Sequence, residues 1–316
     1  MTKKSTYPRM HDDYRKIPSV SLPFRRPLVG ALNALLAFDC WRSPVDPRVL
    51  RRREKIYNAD GSCFEVLVME PAETTTTSPA LIYYHGGAFA LSYASLHLQS
   101  CERYAVEAGC RVIFVDYRLG PAKPFPHGFN DCFRALEWTL ETAEALAIDP
   151  KRVAVMGDSA GGGLSAGVAQ KALDGGVPLS AQLLIYPTLD NRCATESATS
   201  FSDTPVWNSN LNRNMWTMYL RDVNAAAPPA YAAPGRREAL SGLPPAYVET
   251  AEFDPLRDEG LEYARRLEQS AVAVELNQTS GTVHGYELAP ENPETVRSMR
   301  ERVEYLRKIF HPGRVL

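Results

Sequence analysis

The sequence predicts an α/β fold built on a largely parallel sheet. From about residue 51 short β-rich runs alternate with helical stretches, which is the pattern of strands joined by helical crossovers. The runs are eight in number: REKIYNAD, CFEVLVME, ALIYYH, RVIFVDY, RVAVMG, AQLLIYP, AYVETAEF and AVAVELNQ. The length of 316 residues allows one large α/β domain or two ordinary ones and buries roughly 75% of the unfolded surface, so a core forms without staples.

Helical periodicity falls at 97–108, 128–146, 160–173, 258–269 and 295–310, with Pro150 and Pro178 near the close of connections. Two regions stand outside the alternation: residues 1 to about 50, and 191–229. The first contains PLVGALNALLAF, residues 27–38, too short for the ~20 apolar residues of a membrane span and expected as a helix lying on something. The second contains FSDTPVWNSNLNRNMWTMYL with Trp207, Met215, Trp216 and Tyr219. Such an aromatic insertion between strands reads either as a lid over a narrow acyl pocket or as a helix packed on the core. Low complexity is confined to the Thr-rich turn at 74–78 and an Ala/Pro-rich stretch around 224–234.

Net charge is -2 with both signs interspersed, so no electrostatic footprint for nucleic acid or an anionic membrane surface is expected. Arg51, Arg52 and Arg53 are expected on a solvated face or turn. The N-terminal MTKKSTYPRMHDDYRK lacks the apolar region of a secretory signal. Cys40, Cys63, Cys101, Cys110, Cys132 and Cys193 are scattered without C-x-x-C pairs or histidine clustering. The expectation is a reduced, cytoplasmic protein with no metal, no cofactor and no membrane span.

The stretch RVAVMGDSAGGGLSAG, 152–167, contains G-x-S-x-G twice. A nucleophile elbow needs a strand running into a tight strained turn and then a helix. Ser159 fits, because Gly157 directly follows the apolar run 153–156 and small residues surround the serine. Ser165 falls inside the helix, where its hydroxyl is expected to bond a carbonyl one turn back. Gly161, Gly163 and Ala166 imitate a dinucleotide fingerprint, but the glycine arrives four residues too late for a pyrophosphate at the helix N-terminus.

A serine hydroxyl needs a base, usually histidine, and in this fold the acid and then the histidine follow the serine. Only His284 and His311 do so. His311 lies near the terminus, whereas His284 follows the eighth run in the loop QTSGTVHGY. Asp254, just past the seventh run, is the candidate acid; Asp258 is the alternative, though it looks like a carboxylate in the first turn of a helix. The loop YYHGGAFAL supplies backbone donors for an oxyanion: Gly86 and Gly87 turn N–H groups inward, and Ala160 adds one from the far side. His85 precedes Ser159 and is expected to fix that loop.

With these residues in place the chain resembles the hormone-sensitive-lipase-like esterases, the GDXG lipolytic family, from about residue 60 to 288. The blocks are HGGAF at 85–89, DYRLGPAKPFP at 116–126, GDSAGG at 157–162, YPTLD at 186–190, AEFDPLRDEG at 251–260 and HGY at 284–286. The resemblance implies an α/β-hydrolase fold with an eight-stranded, mostly parallel sheet and a helical cap. It implies Ser159 as nucleophile, Asp254 as acid and His284 as base, and a hole made by Gly87, Ala88 and Ala160 with Gly86 shaping it. The cap would comprise residues 1–50 and 191–229, around a catalytic domain of 51–190 and 230–316. Two departures stand out: Ala88 replaces the third glycine, and Ala122 with Lys123 replaces the family's acidic position. The implied reaction is hydrolysis of short-chain acyl esters, small-molecule substrates, through an acyl-enzyme. An amidase or arylformamidase would use the same residues. A non-catalytic receptor of this fold, like the plant gibberellin receptors, would lack the histidine that His284 provides. An open edge at the eighth strand is a candidate homodimer seam.

Overall fold

The computed structural model describes residues 7–74 and 76–313. Residues 1–6 of the expected cap, Thr75 of the Thr-rich turn and 314–316 lie outside the described residues. The strands are β1 Val49–Tyr57, β2 Cys63–Pro71, β3 Ser78–Tyr84, β4 Arg111–Asp116, β5 Ile148–Asp158, β6 Ala181–Ile185, β7 Ala246–Phe253 and β8 Val274–Val283. They form one sheet in the order β1-β2-β4-β3-β5-β6-β7-β8. The β1·β2 and β2·β4 pairs are antiparallel and the others parallel.

The helices are α1 Asp12–Arg15, α2 Arg26–Arg42, α3 Ser95–Glu107, α4 His127–Glu141, α5 Ala160–Asp174, α6 Glu196–Ser200, α7 Ser209–Tyr219, α8 Arg257–Gln269 and α9 Pro293–Phe310. Because successive side chains in a strand point to opposite faces, each central strand feeds two cores. Ile82 and Tyr84 of β3, and Val153 and Val155 of β5, join Leu136 of α4, Leu164 of α5 and Leu267 of α8. Leu81, Tyr83, Ala154 and Met156 join Tyr104 of α3 and Leu306 of α9 on the other face. The result is a three-layer α/β/α arrangement.

Three expectations shift. The eighth strand lies at 274–283 rather than 271–278, so most of the stretch expected as a loop before His284 is strand. Its polar residues concealed this: Asn277 Nδ2 reaches Tyr247 Oη at 3.0 Å, and Thr279 Oγ1 donates to the Thr250 carbonyl at 3.1 Å. The first strand lies at 49–57 and takes in the arginine run, whose Arg51 pairs at 2.6 Å with the buried Glu102. The helix expected at 27–38 spans 26–42 and presents apolar side chains to solvent as well as to the protein. No helix among the described residues is long and apolar enough to cross a membrane, and all six cysteines are unpaired thiols.

The insertion holds α6 and α7, and it meets the N-terminal segment: Tyr7 packs edge-on against Phe201, and Asn208 Nδ2 donates to the Val20 carbonyl at 2.9 Å. At the other end of the chain, Arg302 of α9 is buried with Glu249 of β7 and lies 2.5 Å from Glu287 in the turn after His284. Burial works against a charged Glu249, and the adjacent guanidinium overrides it, holding the carboxyl below its usual range. Removing one partner of such a pair strands the other charge. Arg302→Ala is therefore expected to lower the unfolding free energy by about 3–5 kcal/mol, read from urea denaturation at neutral pH.

Candidate active site

Ser159 sits where β5 passes into α5, at φ 54° and ψ −120°, a region a residue with a side chain enters only under constraint. The constraint is visible. Its N–H donates to the Ile185 carbonyl of β6 at 2.8 Å, and Gly161 packs so closely on the Tyr84 carbonyl that a β-carbon there would overlap it. Ser165, the second serine of the doubled pattern, donates to the Gly161 carbonyl at 2.9 Å and is fully buried in α5.

Three side chains far apart in sequence meet at this turn. His284 Nε2 lies 2.7 Å from Ser159 Oγ, and His284 Nδ1 lies 2.7 Å from Asp254 Oδ2. Asp254 Oδ1 accepts the Leu256 N–H at 2.9 Å, which fixes the carboxylate plane. Ser159 and His284 are each 6% exposed and Asp254 is fully buried. Asp258 is elsewhere engaged: it opens α8, accepts the Ser197 N–H at 2.8 Å and pairs with Arg257. His311 lies against the Ala108 carbonyl at 3.0 Å, past the end of α9.

The loop after β3 turns through Gly87, Ala88 and Phe89, all at positive φ. The N–H groups of Gly87, Ala88 and Ala160 have no backbone acceptor among the described residues. Gly86 differs from its expected place in the hole, because its N–H donates to Asp158 Oδ1 at 3.0 Å. It is the pin of the loop rather than a donor to substrate. His85 stacks on Tyr117 at 4.4 Å between ring centroids, and Tyr117 Oη donates to the His85 carbonyl at 2.8 Å. Burial pushes the His85 imidazole down to about 3, so it is neutral at physiological pH.

Sequence reasoning passed over the two residues that hold this pin. Asp158 accepts Tyr83 Oη at 2.7 Å as well as the Gly86 N–H, and its second oxygen lies 3.3 Å from His97 Nε2 on α3. Burial opposes the charged carboxylate, but the charge and hydrogen bond of His97 and the Tyr83 hydroxyl override it and hold Asp158 below the usual range. Burial likewise opposes a charged His97, and the Asp158 charge overrides it, raising the imidazole above its ordinary value. Asp158 stands inside the GDSAGG block; His97 carries no local signal, since only the fold brings it to Asp158.

The aromatic residues of the insertion border the site. The Trp207 ring lies 5.7 Å from that of His284, Tyr219 stacks on Phe89 at 3.8 Å, and Trp216 lies 6.2 Å from Phe89. With Met215 they are buried in the same core as Ala88 and Phe89. Among the described residues no group of three or more His, Cys, Asp or Glu is placed to hold a metal ion.

A family model described as alpha/beta hydrolase fold matches residues 81–288, which contain every residue of this site. The chain belongs to that family. Within it, this alpha/beta hydrolase falls in the hormone-sensitive-lipase-like esterase branch whose blocks it carries. It is 41% identical over 242 residues to carboxylesterase NlhH of Mycobacterium tuberculosis, covering 75% of this chain and 76% of that one. It is 39% identical over 210 residues to esterase LipI of the same organism, covering 66% of each. A solved structure titled bacterial heroin esterase superposes with a TM-score of 0.89 at 37% identity, covering 97% of this chain and 99% of that one.

The His97–Asp158 pair makes a pH-dependent contribution of definite sign. His97 is raised, so its contribution is complete below the ordinary imidazole value near 6.5 and fades as pH rises through the raised value. His97→Gln is expected to lower kcat on the order of tenfold with little change in KM. The variant should also lose the part of the alkaline decline in urea stability that the parent shows, as parallel titrations would reveal.

Proposed function

We propose that this carboxylesterase hydrolyses short-chain acyl esters through a Ser159 acyl-enzyme, with His284 as general base and acid and Asp254 as the group that orients it. The single observation behind this reading is the continuous run Ser159 Oγ, His284, Asp254, each step 2.7 Å. In that geometry the serine proton passes to Nε2 as Oγ attacks the ester carbonyl, while Asp254 holds the tautomer and stabilises the imidazolium. The carbonyl oxygen turns negative where the N–H groups of Gly87, Ala88 and Ala160 are available, and such donors are each worth about 2.7–4 kcal/mol. His284 then protonates the departing alcohol. A water, deprotonated by His284 in the second step, attacks the acyl carbon and releases the acid and Ser159.

We assign the N-terminal segment and 191–229 to a two-part cap, supported by the contacts of Tyr7 with Phe201 and of Asn208 with Val20. Trp207, Met215, Trp216 and Tyr219 are assigned to the acyl side of the pocket. Their burial and their places beside Phe89 and His284 support this assignment.

Ser159→Ala is expected to lower kcat on nitrophenyl acetate by about 10⁴-fold or more, and Asp254→Asn by about 10⁴-fold. Parental turnover by folded Ser159→Ala would overturn the assignment. Across a nitrophenyl series from acetate upward, kcat/KM should peak at short acyl groups and fall beyond about six carbons, with Trp216→Ala moving the limit upward. Faster cleavage of matched anilides than esters would instead make it an amidase.

A further inference from the structure

Helix α2 has two apolar faces, and the protein uses only one. Val29, Asn33, Leu36 and Cys40, at helical spacing, turn toward the body: Val29 is buried, Asn33 Nδ2 donates to the Ala90 carbonyl at 3.2 Å, and Cys40 Sγ donates to the Tyr93 carbonyl at 3.4 Å. On the opposite face, Leu28, Leu35, Phe38 and Trp41 point to solvent, with Leu35 66%, Phe38 52% and Trp41 79% exposed. Seven of the eleven exposed large apolar side chains among the described residues lie between Val20 and Leu50. A concentration of this kind marks an interaction surface.

The charge around it is equally concentrated. Residues 14–55 contain ten Lys and Arg and three Asp and Glu, in a chain whose net charge is -2. The whole-chain balance therefore hides a strongly basic segment inside an acidic remainder. Basic side chains occur on α2 only at its ends, Arg26 and Arg42, with Arg25 just before it. Arg25, Arg26 and Arg42 make no ion pair among the described residues, and Arg42 lies over the Phe38 ring at 5.6 Å. Trp41 also lines one cleft with Arg51, Arg52 and Arg53 of β1.

We propose that the outward face of α2, with its arginine flanks, docks the protein on an anionic phospholipid surface. An apolar stripe carrying Phe and Trp between basic ends is the composition that lies in a headgroup layer, with rings and leucines in the acyl boundary and arginines at phosphate level. The charge argues against the other ways of covering this face. Self-association would press two basic segments together, and a nucleic acid would meet leucine and phenylalanine where it needs cations. The inference goes beyond ester hydrolysis and does not depend on it.

Vesicle flotation of the full chain at near-physiological salt tests it. The protein should float with phosphatidylcholine vesicles containing about one-third phosphatidylglycerol and not with phosphatidylcholine alone, and the emission of Trp41 should shift to the blue on binding. Ser159→Ala should float like the parent. Leu35→Ser with Phe38→Ser, and separately Arg25→Ser with Arg26→Ser, should each weaken binding on the order of tenfold, with unchanged circular dichroism and urea midpoint confirming the fold. Failure of the parent to float with anionic vesicles would overturn the proposal, as would undiminished flotation of both double variants. A solution dimer that Leu35→Ser with Phe38→Ser dissociates would also overturn it, by making the face a contact between copies.

Discussion

The constraint on which the rest depends is the reversal at Ser159. A serine at φ 54° is held between β5 and α5 because Gly161 closes on the Tyr84 carbonyl and β6 takes the serine N–H. The turn aims consecutive residues at different partners. Asp158 faces the loop after β3 and pins Gly86, Ser159 faces His284, and the Ala160 N–H has no backbone acceptor among the described residues. Relaxing this turn would displace Ser159, the proposed nucleophile, together with the loop it shares with Gly86 and the proposed donor Ala160, which explains the crowding of small residues around it.

The opposite wall is built from charge rather than strain. His284 directly follows β8 and is backed by Tyr186, whose ring lies 4.8 Å away and whose hydroxyl donates to Glu287 at 2.6 Å. Glu287 and Glu249 converge on Arg302. A helix at the end of the chain thus steadies the imidazole through a tyrosine and two carboxylates. Such a cluster contributes little net stability over apolar packing, but it has few alternative arrangements.

What could be read from sequence alone follows a physical division. Strands buried on both faces were legible because their apolar runs are continuous and end at turn residues. Ser159, Asp254 and His284 were legible because chain order and strand ends leave few candidates. The length of β8 was not, since Asn277 and Thr279 are polar groups that find partners on β7 and α9 across the fold. Nor was His97, whose meaning arises from a carboxylate 61 positions away. Gly86 was legible only in part: its shaping of the loop was expected, but the hydrogen bond to Asp158 that turns its N–H from an inward donor into an anchor was not. The outward face of α2 escaped notice because an apolar run does not reveal which of its sides is covered.

The sheet order has a consequence for the timing of assembly. The hydroxyl stands just past a central strand and its imidazole just past the edge strand β8, 125 positions later. During synthesis the nucleophilic turn can fold against its neighbours well before any base reaches it. Hydrolysis is then withheld until β8 has docked beside β7.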